Sequence, residues 1–253
     1  MRLLGVIAPA FALRSAKELI GANFASMYVA RALIEAGGFD HVHLYAANAA
    51  QLALVEQAIA ENGWSTRASA QLDLTLPERV RREPYELFYV PAISPVLADL
   101  ARLRAETGAG YRLLATTSTI SYPAFEEVLA ELLCAPLDER DAIAVCSHAT
   151  RTVLRRLFAA ASARTGRPAR IRLPVVPYGV DTQRYAPGDR VASRARLGLR
   201  EHEHYVLSVA RFSVIDKFDF GPLLEMFRIA RDSLGREWRL VLAGGAEPAH
   251  YLE

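Results

Sequence analysis

The sequence predicts an α/β protein: a parallel, doubly wound, Rossmann-like sheet, followed by the opening β-α-β of a second unit of the same kind. Three observations carry that expectation. Short, nearly continuous apolar runs recur at residues 3–8, 41–46, 112–116 and 142–146, as strands covered on both faces require. Between them lie segments of ten or more residues with apolar positions at helical spacing. The alternation is regular, which favours parallel strands joined by helical crossovers over hairpins.

In chain order, residues 3–8 form the first strand. Pro9 cuts the run short, so it is read as a strand and not as the apolar core of a signal peptide, despite the Ala-Pro-Ala at 8–10. A helix follows over 23–36, with Phe24, Met27, Ala30, Leu33 and Ile34 on one side and Gly37-Gly38 stopping it. Residues 41–46 are the second strand and 49–61 the second helix, ended by Asn62-Gly63. The stretch 72–83 shows no clear period. Next come a strand at 87–90, a helix at 95–106, a turn at 108–110 and a strand at 112–116 that opens onto Thr117, Ser118, Thr119 and Ser121. Pro123 starts a helix that runs to 134. Residues 142–146 are strand, Ser147 is an N-cap for the helix carrying 150–163, and 171–176 is a strand leading into Pro177-Tyr178-Gly179-Val180-Asp181.

Residues 185–203 change character. They are polar, Arg-rich and turn-rich, which places a domain boundary there. The expected organisation is a first domain over 1–187, a linker over 188–203 and a second domain over 204–253. A doubly wound domain needs roughly 100 to 200 residues, so the last part is expected to be an incomplete one, with the chain stopping inside it.

The chain has 253 residues, 52% hydrophobic and 23% charged, with a formal net charge of +2. That balance is the balance of a globular protein with a sizeable core, and the charge is too weak to argue for a nucleic-acid partner. Cys134 and Cys146 form no CxxC and join no ligand cluster, which suits a reduced, cytoplasmic setting. No stretch reaches the roughly 18 unbroken apolar residues of a membrane span. There is no G-x-G-x-x-G after a strand and no P-loop lysine, so a dinucleotide site or a P-loop NTPase has little support.

The chemistry concentrates between residues 205 and 245. A strand at 205–210, a loop bracketed by Arg211 and Lys217, a helix at 222–234 and a strand at 239–243 make one β-α-β unit, ended by Gly244-Gly245. Such a loop lies at the carboxyl edge of its sheet, beside a helix N-terminus with free N–H groups and positive partial charge. Two cations there suit a diphosphate. Of 30 basic residues only Lys17 and Lys217 are lysines, so a lysine at 217 marks either a required compact point charge or a solvated surface position.

Smaller signals read mostly as structure. His41 and His43 share a strand face but have no third ligand near in sequence. His202-Glu203-His204 lacks the helical spacing of a zincin pair and is expected to be a solvated run. Gly21 and Ala22 mark a close approach after the first strand, with Lys17 in the same loop. His148 stands at a helix start near the cleft edge. Arg151, Arg155 and Arg156 lie on a helix whose apolar side packs on the sheet or, in the alternative, rests as a peripheral contact on an anionic inner membrane face.

Four segments in order resemble the glycosyltransferase family 4 pattern, of the GT-B fold. Pro177-Tyr178-Gly179-Val180-Asp181 with Tyr185 and Pro187 is similar to its "PxGvD…F.P" signature. Ser208-Val209-Ala210-Arg211, Asp216-Lys217 and Leu223-Leu224 are similar to "vgR…K…LL.af", and Leu240 to Gly244 to "LvlaG". The run Asp141 to Ser147 is similar to "aD.vi..S". The resemblance covers the chain from about Arg140 onward and implies a retaining, hexosyltransferase-like transfer from a nucleotide-diphosphate-sugar donor, with no metal or other cofactor. The second domain would hold the donor, through Arg211, Lys217 and Gly244. The first would face a glycan, lipid or small-molecule acceptor, with Gly21, Ala22, Ser118, Ser147, His148 and Asp181 toward the cleft. Ser118 stands where the family often carries a histidine, and the family's paired glutamates match nothing up to Glu253. A GT-B sugar-nucleotide epimerase and a non-catalytic sugar- or nucleotide-binding fragment are the alternatives.

Overall fold

The computed structural model describes residues 1–7, 21–117, 120, 125–183, 185–210, 218–234 and 237–245. They form two compact units that divide between Gly179 and Val180. The first contains β1 (Leu3–Ile7), α1 (Gly21–Ala36), β2 (His41–Ala46), α2 (Ala49–Glu61), β3 (Ala68–Leu72), α3 (Leu76–Arg82), β4 (Tyr85–Val90), α4 (Pro95–Thr107), β5 (Arg112–Thr116), α5 (Phe125–Cys134), β6 (Ala142–Ala144) and α6 (His148–Thr165). The sheet order is β3-β2-β1-β4-β5-β6 and every pair is parallel. This is the Rossmann order, whose ligand crevice lies at the carboxyl ends of β1 and β4, where the strand order reverses.

The continuous apolar strands follow from burial on both faces. In β1, Leu4 and Val6 join Ala30 and Ile34 of α1 and Val55 and Ile59 of α2 in one core layer. Leu3 and Ile7 point the other way, into a layer with Leu97 and Leu100 of α4, Leu129 of α5 and Phe158 of α6. Each Val, Ile, Leu or Phe among them, fully buried, contributes about 1.5–3 kcal/mol. Gly5 sits between them for a different reason: a Cβ there would lie 2.1 Å from Cε1 of Phe88, its neighbour on β4. Phe88 is itself held by Tyr85, stacked at 4.6 Å, and Tyr111, edge-on at 4.7 Å.

The unclear stretch 72–83 resolves into the end of β3, a 3-10 turn at Asp73–Thr75 and α3, which Pro77 enters in its first turn. Residues 171–176, expected as a strand, run beside β6 through only two parallel bridges, Ala142 to Arg172 and Val145 to Val175. Arg172 and Val176 donate their N–H groups to Asp141 and Val145, and Pro174, midway between, has no N–H to continue the ladder.

Asp141, in the segment resembling "aD.vi..S", is a structural residue. Fully buried, it accepts Nη1 and Nη2 of Arg104 at 2.6 and 2.8 Å, the N–H of Leu113 at 2.9 Å and that of Asp138 at 2.9 Å. Arg104, 5% exposed, spends its remaining donors on the carbonyls of Tyr111 and Pro136. The pair ties the end of α4 to the entrances of β5 and β6 and so fixes where those strands deliver their carboxyl ends.

The second unit contains α7 (Arg190–Arg196), β7 (His204–Val209), α8 (Gly221–Leu234) and β8 (Trp238–Ala243). β7 and β8 pair in parallel from His204–Trp238 to Val209–Ala243. The interval 188–203 holds α7, capped by Asp189, whose Oδ1 accepts the N–H groups of Val191 and Ala192. Glu203, expected in a solvated run, is instead buried: it accepts Arg239 at 2.8 Å and the Tyr205 hydroxyl at 2.6 Å. Arg239 above all, with Tyr205, holds its carboxyl down at about 2. The expectation that residues 205–210 are buried on both faces does not hold, because Leu207 and Val209 are 62% and 73% exposed. Among the described residues of this unit the two-stranded sheet has only α8 as a crossover, and that leaves one set of alternate side chains uncovered.

Candidate functional site

The carboxyl edge of the six-stranded sheet gathers hydroxyl groups. Tyr89, late in β4, and Thr116, at the end of β5, meet at 3.1 Å, and Thr116 Oγ1 donates to the Pro91 carbonyl at 2.7 Å. Since that hydroxyl has one proton, Tyr89 is the donor to Thr116. Burial pushes the Tyr89 phenol up to about 12, against the lowering effect of the Thr116 bond, with Tyr178 adding to the rise. Thr117, next in the chain, gives its N–H to Ala144 O at 3.0 Å, and its own carbonyl accepts the Tyr178 hydroxyl. Burial and then the neighbouring Cys146 raise the Tyr178 phenol as well. At neutral pH both phenols therefore act as hydrogen-bond donors and not as bases.

The residues singled out in the sequence fall around this edge unevenly. Gly21 opens α1, directly after the chain that leaves β1, and a Cβ there would meet nothing within 4 Å. Ala22 lies in the same first turn of α1. Ser147 caps α6, accepting the Thr150 N–H at 3.1 Å, and its hydroxyl also meets Thr150 Oγ1 at 2.9 Å. His148 starts α6, is exposed, and receives Arg151 Nη2 on Nδ1 at 3.0 Å. Ser118 and Lys17 lie outside the described residues. Asp181 belongs to the second unit, where its carboxylate accepts the Gln183 N–H at 3.1 Å and its carbonyl that of Tyr185.

In the second unit, the parallel register sets Val209 beside Ala243, and Ala210 donates to the Ala243 carbonyl at 3.1 Å. The chain leaving β7 and the exposed Gly244 that follows β8 thus share one carboxyl edge. α8 begins at Gly221, where Asp219 Oδ1 takes the Gly221 N–H at 3.0 Å. Arg211 and Lys217 lie outside the described residues; the chain carries them between the end of β7 and the start of α8.

Sequence reasoning missed Tyr89 and Tyr178 as members of the edge. Tyr178 had a signal in its Pro177-Tyr178-Gly179 setting, whereas Tyr89 looks like any aromatic strand residue. A second polar cluster lies toward the amino edge: His43 Nδ1 meets Tyr85 Oη at 2.5 Å, Tyr45 meets Tyr85 at 2.6 Å, and Tyr85 donates to Glu83, which also holds Arg79 at 2.6 Å. Burial, opposed by the Glu83 charge, lowers His43 to about 4. His41 is engaged with Ser69 at 3.0 Å. Among the described residues no three His, Cys, Asp or Glu side chains group as metal ligands, and no helix is long and apolar enough to cross a membrane.

No family model matches the chain. Over 76 residues, 30% of its length, it is 41% identical to a D-inositol 3-phosphate glycosyltransferase of Nocardia farcinica, of which it spans 17%. It also superposes on the crystal structure of Anabaena HepE in complex with UDP, with a TM-score of 0.56 at 18% identity, over 98% of this chain and 62% of that one. The segment thus has glycosyltransferase-like sequence similarity, and the expected α/β fold class, a doubly wound Rossmann-like sheet followed by a further β-α-β, is the observed one.

Proposed function

We propose that this chain is part of a metal-independent, retaining glycosyltransferase of the GT-B type and of family 4. It would move a sugar from a nucleotide-diphosphate donor to a glycan, lipid or small-molecule acceptor. The observation that carries the reading is the 41% identity with the Nocardia glycosyltransferase. The fold likeness to a protein crystallised with UDP supports it.

In this reading the second unit holds the donor. Arg211 and Lys217 lie on the connection that leaves the carboxyl end of β7 and enters α8, where the helix N-terminus adds positive partial charge. As the bond between the sugar and the diphosphate breaks, negative charge grows on the leaving oxygen. Two fixed cations stabilise that charge more than they stabilise the bound donor, and this differential lowers the barrier. Gly244, at the same edge, lets backbone approach the ligand without a side chain. The first unit offers Ser147 and the exposed His148 at its carboxyl edge as hydroxyl and imidazole partners for an acceptor, on a frame held by the buried Tyr89, Thr116 and Thr117.

The test is a calorimetric titration of UDP, GDP and ADP, each beside its nucleoside. Cations that read the diphosphate bind UDP and not uridine, so Lys217→Ala and Arg211→Ala should weaken nucleotide binding about tenfold to a hundredfold, as loss of a charged hydrogen bond does. Nucleoside affinity should stay the same. Unchanged nucleoside diphosphate affinity in both variants would remove the clamp from the reading.

A further inference from the structure

Charge is distributed very unevenly along this chain. From Ala142 to Val180 there are seven arginines and no lysine, aspartate or glutamate, while the other 214 residues carry 23 basic and 28 acidic ones. A chain with a net charge of +2 therefore keeps a strongly cationic segment on a slightly acidic body.

The fold turns that segment outward. α6 buries Leu154, Phe158 and Ala161 in the sheet's helical layer and leaves Arg155 and Arg156 exposed. After Gly166, at positive φ, closes the helix, the chain doubles back beside it and exposes Arg167, Arg170 and Arg172. Two of the seven arginines are engaged: Arg164 pairs with Glu126 at 3.4 Å, and Arg151 meets His148. Among the described residues the other five, Arg155, Arg156, Arg167, Arg170 and Arg172, form no ion pair with a carboxylate; Arg172 donates to the Arg140 carbonyl at 3.0 Å.

Between α6 and the returning chain lies a groove of about 610 Å³, with Phe158, Ile171, Leu173 and Pro174 among its lining together with Arg155 of α6 and Arg172 of the returning chain. A smaller one, about 230 Å³, continues past Ile171 toward Leu133 of α5, beside Arg167 and Arg170. Apolar floor and guanidinium rim together describe a ligand whose anion adjoins hydrocarbon. Guanidinium groups take phosphate oxygens in pairs, and their methylene stems lie along apolar surface. A bare polyanion satisfies the rim but has no use for the floor.

We propose that the face formed by α6 and residues 167–174 docks on an anionic phospholipid bilayer, with headgroup phosphates on the five arginines and the groove against the acyl boundary. This is peripheral contact and it stands independently of the glycosyltransferase reading. It does not use the apolar side of α6, which the core already occupies.

Co-sedimentation with vesicles tests it. The 253-residue chain should pellet with phosphatidylcholine vesicles containing about one third phosphatidylglycerol, should not pellet with phosphatidylcholine alone, and should be released as salt rises. The double variant Arg155→Gln, Arg170→Gln should bind about thirtyfold more weakly, about fivefold for each charge removed near an anionic surface. Both residues are exposed, and unchanged far-UV circular dichroism would show that the fold is kept. Ala159→Trp, which fills the groove at constant charge, should also weaken binding. Equal pelleting with both vesicle types, or full anionic binding by the double variant, would overturn the proposal. So would binding to single-stranded RNA with none to vesicles, which would assign the face to nucleic acid.

Discussion

Replacing Asp141 by asparagine tests whether a motif residue serves structure or chemistry. The carboxylate is fully buried and accepts four hydrogen bonds, two of them from the Arg104 guanidinium, itself 5% exposed. Asparagine keeps the shape but removes the charge and presents an NH2 group to a donor. Arg104 then keeps only Asp138, at 3.5 Å, as a counterion, and losing its buried, doubly bonded partner costs about 3–5 kcal/mol. For a unit of this size that is a fall of roughly 6–20 °C in melting temperature. Each unit has its own tryptophan, Trp64 in the first and Trp238 in the second. In a Trp238→Phe background, Trp64, 5% exposed, reports urea unfolding of the first unit alone. The double variant Asp141→Leu, Arg104→Met should recover most of the loss, because it removes both charges. Loss below about 1 kcal/mol in Asp141→Asn, or no recovery in the double variant, would refute the reasoning; impaired ligand binding at unchanged stability would make Asp141 functional after all.

Two other outcomes follow from the same core. Gly5→Ala should cost about 3 kcal/mol or more, the upper range for overpacking, because its Cβ falls 2.1 Å from a Phe88 ring that Tyr85 and Tyr111 hold in place; Gly5→Ala with Phe88→Leu should regain part of it in the same urea assay. His43, lowered to about 4 mainly by burial, binds a proton more readily unfolded than folded. Stability from this group is therefore complete above its ordinary value near 6.5 and is lost as pH falls toward 4, by up to about 3 kcal/mol. Glu83, Arg79, His41, Tyr45 and Tyr85 face the same ring, so His43→Gln, followed by urea unfolding at pH 7 and pH 5, isolates its share. A wild-type loss between those two pH values equal to the variant's would show that His43 does not carry it.

The first unit was largely legible in the sequence because its central strands are apolar on both faces and four of its helices, α1, α2, α4 and α6, stop on Gly or Asn. β2, α2 and β5 have the bounds that periodicity assigned, and α4 differs by one residue. Legibility failed where a side chain's role depends on a partner far along the chain. Glu203 reads as a solvated acid until Arg239 is seen across the second unit, and Asp141 reads as part of a motif until Arg104 closes on it from 37 residues away. Residues 171–176 have strand composition, but a single proline at 174 decides that they bridge instead of pairing continuously. At the site, hydroxyls were expected after β5, yet Tyr89 and Tyr178 become part of the edge only because the strand order sets β4 beside β5 and returns the chain past β6.

That strand order has a bearing on synthesis. β1 is central, paired with β2 and β4, yet it is made before both of them, and the residues of β4 follow β1 by 82 positions, from Leu3 to Tyr85. At translation rates of roughly 5–20 residues per second, β1 waits about 4–16 s for its second neighbour. Only toward the end of that interval are β2, β3 and the first two helices all available, and the edge of β1 that β4 takes belongs to the most apolar of those three strands. Gly5, which demands the Phe88 ring and nothing larger beside it, then sets the register in which β4 seals that edge.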